Sequence, residues 1–254
     1  MKIFHISDLH FGMHHEHIIK PFLEEVGKEQ PDVILISGDF TNRAKSVQYE
    51  ELKTELLDKI TTNLVIIQGN HDIPFYNVLA RFSNPYRNYN KYIKEHYPQS
   101  LQNKICTLIG LDSTNVFQTK DGRISEKSMA GIKDFFSADH STIHLLSFHH
   151  NLERVDNLHR PIQNFEEVIN FIKTTPINII CTGHLHKAHT TQITKNDGSK
   201  CLVLHAGSLL CKRTRDGYNS YFEINLHERH HCEVKWKVFD HTSFKTESIS
   251  SYNI

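Results

Sequence analysis

Five short polar blocks constrain this chain more than any other feature, because four of them directly follow strand-like hydrophobic runs. The blocks are Asp8-Leu9-His10, Gly38-Asp39, Gly69-Asn70-His71-Asp72, His149-His150 and Gly183-His184-Leu185-His186. The runs before them are short, β-branched and nearly continuously apolar, as strands buried on both faces are. Polar residues at the carboxyl ends of neighbouring strands share one edge of a sheet, where open α/β sheets place ligands. The blocks therefore bring oxygen and nitrogen donors into a common space.

Strands are expected at 2–7, 33–37, 64–68, 105–112, 143–148 and 177–182, with helices at 46–60 and at 166–173, the latter capped by Asn164. After Gly183 the pattern changes to strands at 190–194, 201–205, 218–225 and 232–239, joined by turns such as Asn196-Asp197-Gly198. A βαβα beginning followed by a mostly β ending predicts an α/β (α+β) chain. Two β-sheets pack face to face with helices outside, in one domain spanning 1–254. The stretch 74–98 stands apart, being rich in tyrosine, phenylalanine, lysine and arginine. It is read as a helical excursion leaving the third block. It is either a lid that offers Tyr86, Arg81 or Arg87 to a substrate, or a surface helix whose aromatic stripe packs on the core.

Lys and Arg number 29 and Asp and Glu number 29, so no overall basic excess speaks for nucleic acid. The five cysteines are scattered with no CxxC, which suits reduced thiols and a cytoplasmic setting. No 18-residue apolar stretch is present, so no membrane span is expected. A signal peptide would have to cleave through the first block, so none is expected either. Oligomeric state leaves no mark in the sequence.

Each block alone is weak. Asp8 and His10, at i and i+2 on a strand end, face one side and suit a single metal, yet a lone D-x-H is more often a cap and a surface histidine. Asp39 has two oxygens with which to bridge cations, but alone it is an ordinary turn aspartate. Asn70 offers an amide oxygen, His71 stands beside it, and Asp72 is expected to fix the tautomer of a neighbouring imidazole. His149, His184 and His186 add three imidazoles at two strand ends. Together Asp8, His10, Asp39, Asn70, His149, His184 and His186 make an N/O donor set without thiolate, suited to borderline or hard first-row divalent ions rather than to a structural zinc cage. The clusters His14, His15, His17 and His227, His230, His231 are taken as surface residues. His150 is taken as a neighbour of the site rather than a ligand, and His205 is left unassigned.

The set D-x-H, G-D, G-N-H-[DE], H, G-H-x-H resembles the calcineurin-like metallophosphoesterase superfamily over about residues 1–186, with the turn Ala206-Gly207-Ser208 also familiar. The resemblance implies a four-layer fold of two mixed β-sheets packed as a sandwich between helices. It implies two divalent metal ions (Mn, Fe or Zn). Asp8, His10, Asp39 and His186 would hold one, and Asp39, Asn70, His149 and His184 the other. His71, with Asp72, would serve catalysis, and Arg43 becomes a candidate substrate contact beside Tyr86 and Arg87. Asn42 stands where purple acid phosphatases carry tyrosine, and Asn42, Ala44 and Asp72 depart from the protein Ser/Thr phosphatase pattern. Repair nucleases share Ser7-Asp8-Leu9-His10-Phe11-Gly12 and Gly69-Asn70-His71-Asp72, but usually carry further DNA-binding segments for which this chain has little room. The likeness is greatest to compact bacterial phosphodiesterases of the cyclic-nucleotide and glycerophosphodiester type, a group that Leu111-Asp112-Ser113-Thr114 also fits.

The expected activity is hydrolysis of a small phosphodiester by a metal-activated hydroxide. The alternatives are an exonuclease-like enzyme or a phosphomonoesterase on the same centre. A metal-binding scaffold without activity would have lost ligands or His71, and none is lost.

Overall fold

The computed structural model describes residues 1–136, 142–156, 158–227 and 231–254; His230 lies outside them. The chain runs β1 (Lys2–Ile6), α1 (Ile19–Glu29), β2 (Val33–Ser37), α2 (Ser46–Glu55), β3 (Asn63–Ile67), α3 (Val78–Ser83), α4 (Arg87–Tyr89), β4 (Ser100–Gln102), β5 (Cys106–Gly110), α5 (Glu126–Phe135), β6 (Ile143–Ser147), α6 (Phe165–Lys173) and β7 (Ile179–Thr182). It then continues β8 (His189–Thr194), β9 (Lys200–His205), β10 (Ser220–His227), β11 (His231–Phe239) and β12 (Phe244–Asn253).

These strands form two six-stranded mixed sheets, ordered β12-β11-β10-β1-β2-β3 and β4-β5-β6-β7-β9-β8. Strands β1, β2 and β3 are parallel, as are β5, β6, β7 and β9. Their apolar runs explain the layering. Ile3, Val33, Leu35, Val65 and Ile67 of the first sheet meet Leu108, Leu145, Ile179, Cys181 and Leu204 of the second in a buried middle layer. The alternate residues Phe4, Ile6, Ile34, Ile36 and Ile66 pack outward on α1, α2 and the 87–94 helical turns. On the far side Leu146, Ile180 and Val203 pack on α5 and α6. Both sheets are covered on both faces, so their central strands are apolar throughout rather than alternating. Helix α1 buries Ile19, Phe22 and Val26, spaced to lie on one side of a 3.6-residue helix.

The expected helix over 46–60 ends at Glu55. Leu56 leaves helical geometry at φ −127°, and a 3₁₀ turn follows at Leu57–Lys59. Asn164 occupies the N-cap of α6, but its side chain does not cap the helix: its amide brackets Ile124, accepting from the N–H and donating to the carbonyl. β12 and β4 carry no strand signal in the sequence. β12 is an edge strand with Phe244 as its buried residue and a run of exposed serines, threonine and charges. The five cysteines are all buried and unpaired. Among the described residues no helix is long and apolar enough to cross a membrane.

Candidate metal centre

The carboxyl ends of the parallel strands in both sheets point to one place. Asp8 and His10 follow β1, Asp39 follows β2, Asn70 and His71 follow β3, His149 follows β6, and His184 and His186 follow β7. Turning these side chains inward distorts the backbone. Asp8, His10, Asp39, His184 and His186 all adopt positive φ, from 51° to 72°. Non-glycine residues rarely do so, and such strain persists only where surrounding structure holds it, commonly at functional sites. Gly38, at φ +98°, takes a still more unfavourable position, and a side chain there would strike His149 Nδ1 at 2.6 Å.

Two donor groups result, and they share Asp39. Asp8, His10, Asp39 and His186 present ligand atoms within 4.8 Å of one another, as do Asp39, His149 and His184. His10 Nε2 lies 3.0 Å from His186 Nε2 and 3.5 Å from Asp39 Oδ2, while His186 Nε2 lies 3.3 Å from Asp8 Oδ1. On the other side His149 Nε2 is 3.3 Å from the same Asp39 Oδ2 and 3.3 Å from His184 Nδ1. Every one of these residues but His186 is at least nine-tenths buried.

Imidazole tautomers are set by main-chain carbonyls. His149 Nδ1–H donates to Ser37 O (2.7 Å), His186 Nδ1–H to Arg213 O (2.5 Å) and His71 Nδ1–H to Asn42 O (2.9 Å). Each ring is left with Nε2 facing the centre. The sequence assigned this orienting task to Asp72, and the structure gives that residue other partners. Its carboxylate accepts from the backbone N–H groups of Gly69, Phe40 and Thr41, which locks the third block against the loop after Asp39. Asn70 Nδ2 donates to Thr119 O (3.0 Å), so the amide oxygen is the atom turned away from that bond.

The donor set fits a divalent pair on its own chemistry. Asn70 Oδ1 is buried and has no hydrogen-bond partner, a costly arrangement unless something else binds it, and Asp8 Oδ1 meets only imidazole nitrogens. Electrostatics agree. Burial pushes Asp8 up, but His186 and His10 beside it outweigh this and hold it well below the carboxylate range. Burial pushes His186 and His149 down, yet Asp8 lifts the first to about 11 and Asp39 lifts the second to about 9. His186 and His149 gain protons because two unneutralised carboxylates sit beside them, and a cation would supply the same charge, whereas burial holds His10 down to about 4 and His184 well below the usual range. Asp72 moves the other way, pushed up by burial and by the negative Asp39.

A cavity of about 250 Å³ opens over the centre. Arg43 lines it, with its guanidinium 4.3 Å over the Tyr76 ring, and so do Phe75, Lys120, Arg213 and Arg215. Tyr86 and Arg87 do not. The Tyr86 hydroxyl bonds Thr114 Oγ1 at 2.8 Å, and Arg87 is exposed on a neighbouring depression. Arg81 is buried, and its guanidinium donates to Val116, Pro74, Asn115 and Gln118 carbonyls, leaving it no role toward a substrate. His150 is buried beside the centre, its Nδ1 2.8 Å from Ser113 Oγ. His205 lies deeper, bonded through Nδ1 to Thr182 Oγ1. His14 is buried rather than a surface residue, packed on Phe11. The sequence did not single out Lys120, Arg213 or Arg215, which lie in loops with no motif of their own.

A four-layer sandwich with carboxylates and imidazoles converging at the carboxyl ends of both sheets is the arrangement of a metal-dependent phosphoric ester hydrolase. The calcineurin-like phosphoesterase family model matches residues 1–188, and the chain belongs to that family, whose members typically bind two divalent metals. Over 226 residues the chain is 27% identical to a probable cyclic nucleotide phosphodiesterase of Vesicomyosocius okutanii, covering 85% of this chain and 89% of that one. Over 190 residues it is 24% identical to a probable glycerophosphodiester phosphodiesterase of Arcobacter nitrofigilis, covering 71% and 64% respectively. A dimetal phosphatase from Danio rerio shares the fold, with a TM-score of 0.69 at 11% identity over 100% of this chain and 98% of that one.

Proposed function

We propose that this chain, as one domain, is a dinuclear phosphodiesterase for small diesters of the cyclic-nucleotide or glycerophosphodiester type. The observation that carries this reading is Asp39, whose carboxylate belongs to both donor groups. Asp8, His10, Asp39 and His186 would hold one cation, and Asp39, Asn70, His149 and His184 the other. Two divalent cations would supply Lewis-acid charge at the phosphoryl oxygens and make water a nucleophile at neutral pH. Mn, Fe and Zn all suit this mixed N/O set.

His71 serves the leaving group. It is less buried than every ligand except His186 and lines the cavity, and its ring lies edge-on to His10 with centroids 4.8 Å apart. Its Nδ1–H is held by Asn42 O, so it is the imidazolium form of His71 that passes its Nε2 proton to the departing alkoxide, leaving the neutral Nδ1–H ring. The His71 main-chain N–H also donates to Asp39 Oδ1 at 2.8 Å, which ties this residue to the shared carboxylate. Phe75 and Tyr76 form the wall against which the ester's organic part rests, with the Arg43 guanidinium over the Tyr76 ring at its edge. The names of the two relatives support a diester over a monoester.

The test is an activity panel on metal-defined protein, with a phosphate monoester, an activated diester, cyclic nucleotides, glycerophosphodiesters and single-stranded DNA. A diester is expected to be turned over fastest. A monoester hydrolysed faster than every diester would overturn the reading. Asp39→Ala is expected to empty both cation sites and abolish turnover; a variant that keeps two metals per chain would remove the shared-carboxylate assignment.

A further inference from the structure

Resting on that reading, we propose that Arg43, Lys120, Arg213 and Arg215 form a subsite for a second anionic group, so that the substrate is a phosphodiester carrying a further phosphate. The first observation is charge. The chain as a whole balances 29 basic against 29 acidic residues, yet these four cations line one cavity. Among the described residues the carboxylate lining that cavity is Asp39, at its buried floor. None of the four cations forms an ion pair with a carboxylate among the described residues. Arg43 is instead stacked on Tyr76.

The second observation is how they are placed. Each cation sits on, or within two residues of, a main-chain carbonyl that orients a side chain of the centre. Asn42 O holds His71 Nδ1, and Arg43 is next in the chain. Thr119 O holds Asn70 Nδ2, and Lys120 is next. Arg213 O holds His186 Nδ1, while the Arg215 N–H donates to His186 O at 2.8 Å. Three separate loops thus fix the main chain that carries these cations relative to the centre.

The third observation is depth. Asp8, His10 and Asp39 are essentially inaccessible, whereas Lys120, Arg213 and Arg215 are exposed. The cations ring the mouth, so they meet whatever extends outward from the scissile group. A diester carries one negative charge, which the floor of the site already addresses. Guanidinium and ammonium groups gathered at a mouth match a second phosphate, whether a terminal phosphomonoester or part of a pyrophosphate link. His159, half-buried and 4.4 Å from the His184 ring, completes the cavity wall between floor and rim.

Two chromogenic compounds differing by one phosphate test this: thymidine 3′-(p-nitrophenyl phosphate) with a free 5′-hydroxyl, and its 5′-phosphorylated form. Nucleoside and leaving group are identical. On the metal-loaded protein the phosphorylated compound is expected to have a KM lower by about tenfold or more, the size of one charge-assisted hydrogen bond. That ratio should shrink with added salt and fall toward one in the Arg213→Ala/Arg215→Ala double variant, with Lys120→Ala reducing it independently. A wild-type ratio near one would overturn the proposal, as would a ratio that survives both variants. Should neither compound be hydrolysed, the diesterase reading fails, and calorimetric binding decides the subsite separately. Thymidine 3′,5′-bisphosphate binding about tenfold tighter than thymidine 3′-monophosphate, with the difference lost in the double variant, sustains it. Equal affinities overturn it.

Discussion

His149 donates its Nδ1–H to the carbonyl oxygen of Ser37 at 2.7 Å, and this bond crosses from one sheet to the other. Ser37 ends β2 and His149 follows β6, so this bond, together with that from the His184 main-chain N–H to Asp8 Oδ2 (2.9 Å), registers the two sheets at the point where their donor atoms meet. The first bond also turns His149 Nε2 toward Asp39, which lies two residues after Ser37. The sandwich is therefore part of the site: sliding one sheet over the other would pull His186 away from Asp8, His10 and Asp39, and His149 and His184 away from Asp39.

His71→Ala should separate catalysis from metal binding. The residue lies beside the donor groups but belongs to neither, so metal content is expected to stay near wild type. Turnover should fall by about 10²- to 10⁴-fold, the usual worth of general acid–base help. The loss should shrink for diesters with very acidic leaving alcohols, which need no proton. Metal analysis and a leaving-group series check this, and equal losses across the series would exclude the acid role.

The block glycines make a sharper structural prediction. A Cβ on Gly183 would lie 1.8 Å from Ser7 Oγ and 2.7 Å from Asp8 Oδ2, so Gly183→Ala must push Asp8 out of place. Overpacking of this kind costs about 1–3 kcal/mol, and metal content should fall with it. Gly27→Ala is the contrast. Nothing lies within 4 Å of that Cβ, inside α1, so the change should stabilise by about 0.5–1 kcal/mol. Calorimetric Tm values for the two variants should move in opposite directions.

Much of this was legible in the sequence, and the rest was illegible for identifiable reasons. Strands such as Val33–Ser37 and Ile143–Ser147 announce themselves because burial on both faces demands apolar runs. Donors at their ends follow from the same logic. β12 was invisible because an edge strand needs few apolar residues, and only Phe244 of its ten is buried. The carbonyls of Ser37, Asn42 and Arg213 were invisible because every residue has one. The rim cations Lys120, Arg213 and Arg215 were missed because only tertiary contacts bring their loops to the centre. Tyr86 and Arg87 do not line the cavity, and the sequence left lid and core packing both open for them because helical spacing gives a face but not which way that face turns.

Glu25 and Lys237 form a buried ion pair at 2.6 Å, joining α1 to β11, and the Tyr221 hydroxyl also donates to Glu25 Oε1 at 3.3 Å. Both charged side chains are less than a tenth exposed. Glu25→Ala should strand the ammonium and cost about 3–5 kcal/mol. The double replacement Glu25→Leu/Lys237→Met should recover most of that loss, because two apolar groups leave no buried charge. Urea denaturation of the three proteins checks the order, and a double variant no more stable than Glu25→Ala would show that the pair is not the source of the loss.

Arg81 and Arg87 lie in the same helical excursion and should behave oppositely. Arg81 is 5% exposed and donates to four carbonyls, those of Pro74 and of the 115–118 loop. Pro74 leads directly into Phe75 and Tyr76, and the 115–118 loop leads into Thr119 and Lys120, all of which line the cavity. Arg81→Ala would leave those carbonyls short of a donor, at about 1–3 kcal/mol for each buried group that water cannot reach. It would also loosen both sides of the cavity mouth. KM for a bulky diester should rise, while a small activated diester should feel the change less. Arg87 is exposed, has no side-chain hydrogen bond among the described residues and does not line the cavity, so Arg87→Ala should stay within about 0.5 kcal/mol of wild type and leave KM alone. Tyr86→Phe should fall between them, losing the single bond to Thr114 at about 0.5–1.5 kcal/mol. Steady-state kinetics with a large and a small diester, run beside thermal melts, separate these cases. A rise in KM for the large diester in Arg87→Ala, with Arg81→Ala unaffected, would mean that the excursion meets substrate through its outer face rather than through Phe75 and Tyr76.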